Sequence, residues 1–98
     1  MTSNRLRISP EAEIDLLEIG TYTRDTWGWR QADRYLTQLE EGCEFIANNP
    51  MAGRSCKQIQ ERLCRFEIGR HVIFYVVEHE GVLIVRVLHQ NMLPTNYF

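Results

Sequence analysis

The most informative absence in this 98-residue sequence is that of a long hydrophobic run. A membrane-spanning helix needs about 20 consecutive apolar residues, and no segment approaches that length. Residues 1–9 contain Arg5 and Arg7 but lack the apolar stretch of a secretory signal peptide. We therefore expect a cytoplasmic protein that does not contact membranes.

Cysteine is scarce, and its pattern argues against two kinds of stabilising site. Cys43, Cys56 and Cys64 are odd in number and form no Cys-x-x-Cys pair, so we expect reduced thiols. The three histidines are scattered without the spacing of metal ligands, and no glycine-rich loop is present to hold a phosphate. The sequence predicts neither a metal site nor a cofactor.

Charge of one sign does not dominate, but it is unevenly distributed. Residues 1–50 contain five arginines and nine acidic residues, a net charge of −4, whereas residues 51–98 contain six basic and four acidic residues, a net charge of +2. The second half can therefore offer a local basic surface, although it is too weakly charged for a dedicated DNA-binding protein. The length and the 44% hydrophobic content predict a single domain over residues 1–98.

The first half of the sequence predicts a strand followed by a helical hairpin. A short extended segment at residues 5–8 precedes Ser9 and Pro10, a serine cap and a proline suited to the first helical position. This helix is expected to end at Gly28, and a second helix to run over residues 29–48. The second helix has an apolar stripe at helical spacing, formed by Ala32, Leu36, Leu39, Cys43 and Ile46.

The second half changes to the period of β-strands. Residues 50–62 are polar and predict the longest loop. Apolar character then marks three strands, at residues 63–68, 71–77 and 82–88. Turns at Gly69 and Gly81 would join them into an antiparallel meander. The predicted fold class is α+β, with an N-terminal strand, an antiparallel helical hairpin covering one face of the sheet, and a three-stranded meander.

No catalytic motif stands out, but basic residues and histidines collect in the second half. They are Arg54, Lys57, Arg62, Arg65, Arg70, His71, Arg86 and His89. A groove lined by such residues could hold RNA phosphates, with His89 or Tyr97 as a general acid or base; alternatively, they are ordinary solvated side chains. Arg86 and His89 lie three apart on the last strand, so strand alternation predicts that they face opposite sides.

A second feature indicates a binding surface. Ile14 and Leu17 lie well off the apolar stripe of the first helix, and Phe45 lies off that of the second. Such residues either form an exposed apolar surface that binds another protein or belong to a peripheral core under the long loop. We expect them to contact a partner protein.

Several segments resemble the ParE toxins of bacterial type II toxin–antitoxin systems, within the RelE/ParE superfamily. The matching segments are residues 9–13, residues 31–36, residues 49–54, Gly69-Arg70-His71-Val72-Ile73-Phe74-Tyr75 and Ile84-Val85-Arg86-Val87-Leu88-His89-Gln90-Asn91-Met92. The last two are specific together, and the resemblance covers nearly the whole chain. Residues 93–98 depart from the acidic-then-basic tail that is commoner in the family.

The resemblance implies a toxin that binds DNA gyrase and blocks replication without being an enzyme. It further implies a ParD-like antitoxin with a ribbon-helix-helix domain. The toxin–antitoxin complex would contact operator DNA only through that domain. We expect the turn at Gly69 and the end of the last strand to form one gyrase-binding patch, comprising Arg65, Arg70, His71, Arg86, His89 and Met92. The antitoxin is expected on Ile14, Leu17 and Phe45.

One alternative remains open from the same resemblance. Relatives of the RelE type are ribosome-dependent mRNA endonucleases that use a denser set of basic residues with a C-terminal tyrosine or histidine. Tyr97 is compatible with this activity.

Overall fold

Two helices and five strands make up the described part of the chain, residues 5–98 of a computed structural model. In chain order they are β1 (Arg5–Ile8), α1 (Pro10–Trp27), α2 (Trp29–Asn48), β2 (Arg54–Ser55), β3 (Leu63–Ile68), β4 (His71–Glu78) and β5 (Gly81–His89). Short 3₁₀ turns occupy Pro50–Ala52 and Pro94–Asn96. The α+β class and the helical hairpin are confirmed.

The ends of α1 explain how the hairpin is fixed. The Ser9 hydroxyl accepts a hydrogen bond from the Ala12 amide at 3.0 Å and donates one to the Val85 carbonyl at 2.7 Å. The helix start is thereby capped and tied to β5. At the other end Gly28 has a φ of 94°, a conformation that favours glycine. This single residue therefore reverses the chain into α2.

The sheet is mixed, with the strand order β1-β5-β4-β3-β2. The β3–β4–β5 meander is antiparallel as predicted, but β1 pairs in parallel with β5, from Arg5 opposite Gly81 to Ile8 opposite Ile84. The two helices provide the crossover that such a parallel connection requires. The sheet is therefore larger than the predicted meander.

A β-bulge interrupts the pairing of β4 with β5. Tyr75 pairs with Ile84 and Phe74 with Arg86, so that Val85 has no partner in the register. A bulge re-aims the side chains that follow it. Arg86 and His89 both follow the bulge, so it leaves their alternation relative to each other unchanged. They nevertheless line one cleft, together with Val87 and Leu88 between them.

The sheet buries apolar side chains on both faces. On one face, β4 and β5 pack against the helices, where Leu39 and Ile46 are fully buried. Gly42 belongs to this contact, since a Cβ there would collide with the Ile68 side chain. On the other face, Val72, Phe74 and Leu88 form a second cluster with Cys56, and Ile59 and Phe98 pack against it.

The segment expected to be a plain loop, residues 50–62, is partly structured. It contains a 3₁₀ turn and β2, which extends the sheet beside β3. The hydroxyl of the buried Tyr75 donates to the Pro50 carbonyl at 2.8 Å and accepts from the Gly53 amide at 2.9 Å. A two-residue strand is too short to show a hydrophobic period, which explains why the sequence did not reveal it.

No helix within residues 5–98 is both long enough and apolar enough to cross a lipid bilayer.

Candidate functional site

A cleft of about 1050 Å³ opens between the helical hairpin and one end of the sheet. Its helical wall includes Asp15, Glu18, Tyr22 and Trp27 from α1 and Tyr35 from α2. Its sheet wall comes from the β3–β4 turn and the end of β5, and Met92 and Tyr97 add side chains from the C-terminal segment. We refer to this space as the cleft.

A largely buried ion pair lies in the wall of the cleft. Asp15 accepts from Nε and Nη2 of Arg86, both at 2.8 Å, and from the Val87 amide at 2.9 Å. Its hydrogen bonds to Arg86 raise the pKa of that guanidinium. The arginine also lies over the ring of Tyr97, 5.2 Å from its centroid. Arg86 is thus held against α1.

Tyr35 fixes the turn between β3 and β4. Its hydroxyl accepts from the Arg70 amide at 3.1 Å and lies 2.6 Å from Nδ1 of His71. The alternative acceptor, the Ile68 carbonyl, is 3.4 Å away. We therefore assign the hydroxyl proton to the shorter contact, so that Nδ1 of His71 accepts and its Nε2 carries the proton.

His89 stands beside His71 at the end of β5. The two rings meet edge to face, with centroids 5.3 Å apart and an interplanar angle of 84°. Nδ1 of His89 lies 3.1 Å from the Asn91 amide, which can only donate, so the proton of the neutral ring is on Nε2. Burial and the neighbouring His89 lower the pKa of His71 to about 4. His71 is therefore neutral at pH 7.

Arg70 is the cation of the cleft that is available to a ligand. It occupies the turn after Gly69, whose φ of 57° favours glycine. Its side chain is exposed and makes no ion pair with any residue of the described range 5–98. Arg86, by contrast, already has a carboxylate partner.

The structure brings five of the six expected gyrase-binding residues to the cleft: Arg70, His71, Arg86, His89 and Met92. Arg65 does not join them. It pairs with Phe74, and its guanidinium lies 5.7 Å from the centre of that ring, within the cluster on the other face of the sheet. Alternation along β3 directs it away from the helices.

The three residues expected to contact an antitoxin are all exposed. Ile14 is 54% exposed and Leu17 72% exposed on the outer side of α1. Phe45 is 48% exposed and packs against Phe66 of β3, with ring centroids 5.6 Å apart. Ile14 and Leu17 therefore offer an apolar surface outside the core, whereas Phe45 is partly engaged already.

Sequence reasoning missed Asp15 and Tyr35. Asp15 lies on the buried face of α1 with Ala12 and Ile19, so an acidic residue at core spacing was a detectable signal. For Tyr35, the sequence offered no signal of its hydrogen bond to a histidine 36 positions away.

The fold places the chain in a known structural class. It is similar to a solved structure of the chromosomal ParDE TA system from P. aeruginosa, with a TM-score of 0.76 over 89% of this chain and 96% of that chain. At 18% sequence identity, this likeness shows the fold alone.

The sequence comparisons identify the family. The profile described as "ParE toxin of type II toxin-antitoxin system, parDE" matches residues 6–94. Toxin ParE1 of Mycobacterium tuberculosis is 42% identical over 91 residues, 92% of this chain and 93% of that protein. Toxin ParE1 of Caulobacter vibrioides is 40% identical, covering 88% of each chain, and Toxin ParE of Escherichia coli is 31% identical, covering 87% and 84%. The chain belongs to the ParE family of type II toxins.

Proposed function

We propose that this toxin inhibits DNA gyrase by binding to it and thereby blocks replication. The observation that carries the proposal is the grouping of Arg70, His71, Arg86, His89 and Met92 around one cleft. All five residues come from the segments that resemble gyrase-inhibiting ParE toxins most closely, 69–75 and 84–92. The cleft is the surface we propose for the contact.

The ion pair inside the cleft favours binding over catalysis. Arg86 is neutralised by Asp15 at 2.8 Å. An arginine that stabilises a developing phosphate charge has to be free to meet it. We therefore propose a stoichiometric inhibitor with no catalytic residue.

A supercoiling assay with purified gyrase tests this function. Arg70→Ala and His89→Ala should each weaken inhibition gradually, raising the toxin concentration for half-inhibition by roughly tenfold per lost contact, which corresponds to about 1.4 kcal/mol. Arg54→Ala is the matched control, since Arg54 is an exposed arginine paired with Glu67 outside the cleft. Wild-type toxin that leaves supercoiling unaffected at stoichiometric amounts would overturn the proposal.

One observation favours a second candidate function, the RelE-type mRNA endonuclease. The Tyr35 hydroxyl is hydrogen-bonded to Nδ1 of His71, the His71 ring contacts the ring of His89, and all three side chains line the cleft with Arg70. For an endonuclease, His89→Ala should lower RNA cleavage by a factor of about 10²–10⁴, as expected for a lost general acid or base. Cleavage of ribosome-bound mRNA by substoichiometric toxin in a purified translation assay would favour this function over gyrase binding.

We further propose a ParD-like antitoxin as the neutralising partner. The exposed Ile14 and Leu17 on α1, with Phe45 on α2, are the surface we propose for it. Operator DNA would be contacted only through the ribbon-helix-helix domain of that antitoxin. The toxin would act in the cytoplasm as a single domain over residues 1–98.

A further inference from the structure

We propose that the cleft binds a short single-stranded nucleic acid segment, with a base stacked on its aromatic rim and a phosphate at Arg70. The inference rests on the proposed function for its biological meaning, because gyrase works on DNA and the same cleft is the proposed contact. Beyond the proposed function, it names the chemical class of the ligand that enters the cleft. The binding is proposed for the toxin by itself, without gyrase.

The rim supplies aromatic surfaces that the fold does not use. Tyr22 is 69% exposed and Trp27 67% exposed, and both border the cleft from α1. Large aromatic rings left this open near a concave surface are suited to stack on unpaired bases, since every base has a flat π-face. A base pair inside a duplex keeps its faces covered by its neighbours, so the rim favours a single strand.

The donors of the cleft suit a phosphate. Arg70 is exposed and has no carboxylate partner among residues 5–98. The proton assignments leave Nε2–H of His71 and of His89 as donors, because Nδ1 is the acceptor on each ring. A phosphate bound there could accept a charge-assisted hydrogen bond from Arg70 and further hydrogen bonds from these two Nε2–H groups. Binding in this site does not require a protonated histidine.

The charge balance of the cleft limits the strength of binding. Asp15 neutralises Arg86, and Glu18 and Arg70 add one formal charge of each sign to the lining without forming an ion pair. The cleft therefore does not attract polyanions over a distance, and stacking has to supply much of the affinity. An acidic peptide could also pair with Arg70, but its carboxylates would leave Tyr22 and Trp27 without a stacking partner. These observations favour nucleic acid over an acidic protein segment.

The volume of the cleft is consistent with this occupant. At about 1050 Å³, it slightly exceeds the roughly 300–1,000 Å³ typical of small-ligand sites. A base with its sugar and an adjoining phosphate therefore fits without rearrangement of the helices.

The two tryptophans of the hairpin provide an internal reporter and its control. Trp27 lines the cleft, whereas Trp29, 74% exposed, follows Gly28 and does not line it. Trp29→Phe leaves Trp27 as the only tryptophan, and Trp27→Phe leaves Trp29. Each purified variant would be titrated with oligo(dT) of about six nucleotides, an abasic oligonucleotide of the same length, and polyglutamate of matched charge.

We expect saturable quenching of Trp27 by oligo(dT), with the Trp29 signal unchanged. The abasic oligonucleotide and polyglutamate should bind at least about tenfold more weakly, because they lack bases to stack. Arg70→Ala in the Trp27 reporter should weaken oligo(dT) binding by a similar factor, while Arg34→Ala, an exposed arginine outside the cleft, should not. A logarithmic salt dependence with a slope near −0.7 would correspond to one phosphate contact.

The inference is overturned if oligo(dT) does not quench Trp27, if the abasic oligonucleotide binds equally well, or if both tryptophans respond alike. Equal binding of polyglutamate would instead indicate an acidic protein segment as the occupant. Inhibition of gyrase without oligonucleotide binding would refute this inference and leave the proposed function standing. Oligonucleotide binding without gyrase inhibition would support this inference and overturn the proposed function.

Discussion

Among single residues, Asp15 is a buried carboxylate whose charge is compensated by Arg86 and the Val87 amide. Breaking a buried ion pair leaves an uncompensated charge and costs about 3–5 kcal/mol. The Arg86 side chain is 20% exposed, so water can partly solvate its charge when the carboxylate is removed. We therefore expect Asp15→Asn to lower the free energy of unfolding by about 2–3 kcal/mol, less than for a fully buried pair. Urea denaturation at pH 7 measures this loss.

The matched control is Asp25→Asn. Asp25 pairs with Arg24 at 3.2 Å, but both side chains are more than half exposed. Exposed pairs contribute little, so this variant should change the unfolding midpoint hardly at all. If the two variants lost the same stability, the Asp15–Arg86 pair would not be stabilising the contact of α1 with β5.

His71 makes the stability of the toxin dependent on pH. Its pKa is lowered from 6.5 to about 4 in the folded state, first by burial and then by the neighbouring His89. Between these values the unfolded chain binds a proton that the folded chain does not, so stability is lost as the pH falls from 6.5 towards 4. We expect a loss of about 1–2 kcal/mol between pH 7 and pH 5, after allowance for solvent screening.

Urea denaturation of wild type and of His71→Gln at both pH values measures this contribution. The variant should lose less stability on acidification, because glutamine does not titrate. His79→Gln is the control, since His79 is exposed at the β4–β5 end of the sheet. Identical pH dependence in wild type and His71→Gln would show that His71 is not the group responsible.

The sequence could predict which residues approach the cleft, but not their pairing. The order of the meander already placed the turn at Gly69 near His89. Asp15 and Arg86 are 71 positions apart, and only the packing of α1 on β5 brings them together. The bulge at Val85 then re-aims Arg86, which strict alternation along a strand does not anticipate.

At the scale of elements, local signals determined the helix bounds. The Ser9 cap and Gly28 mark the ends of α1, and both act through backbone groups close in sequence. The parallel pairing of β1 with β5 has no such local signal, because a short extended segment can join either edge of a sheet. Its position is decided by the hairpin that lies between the two strands.

The hydroxyl of Tyr75 ties residues 50–53 to the sheet, which makes it a test of that segment. Tyr75→Phe keeps the buried ring but leaves the Gly53 amide and the Pro50 carbonyl without this partner. Leaving buried polar groups unsatisfied costs about 1–3 kcal/mol. Because these two groups are only partly buried, we expect a loss near the lower end of this range in urea denaturation. Amide exchange should also increase at Gly53.

Tyr22→Phe is the control for that change, since Tyr22 is 69% exposed and its hydroxyl makes no hydrogen bond within the described residues. Its unfolding midpoint should equal that of the wild type. If Tyr75→Phe also left the unfolding midpoint unchanged, residues 50–53 would be held by β2 and the cluster around Cys56 rather than by the Tyr75 hydroxyl.

For the whole molecule, the two proposed binding surfaces are distinct. The cleft lies between the hairpin and one end of the sheet, whereas Ile14 and Leu17 project from the outer side of α1 among acidic residues. Phe45 lies on the other helix, against β3. An antitoxin on these residues would not need to fill the cleft, so we expect mutations to separate neutralisation from toxicity.

The double variant Ile14→Asp/Leu17→Asp tests the antitoxin surface. Both side chains are exposed in the free toxin, so charges there should leave its circular dichroism and unfolding midpoint unchanged. Burying two carboxylates against an apolar partner is unfavourable, and we expect affinity for a ParD-like antitoxin to fall at least tenfold in calorimetry, about 1.4 kcal/mol. Met51→Asp, at a position 89% exposed and outside the proposed surface, should bind as the wild type does. Unchanged affinity of the double variant, with its fold intact, would remove α1 from the antitoxin interface.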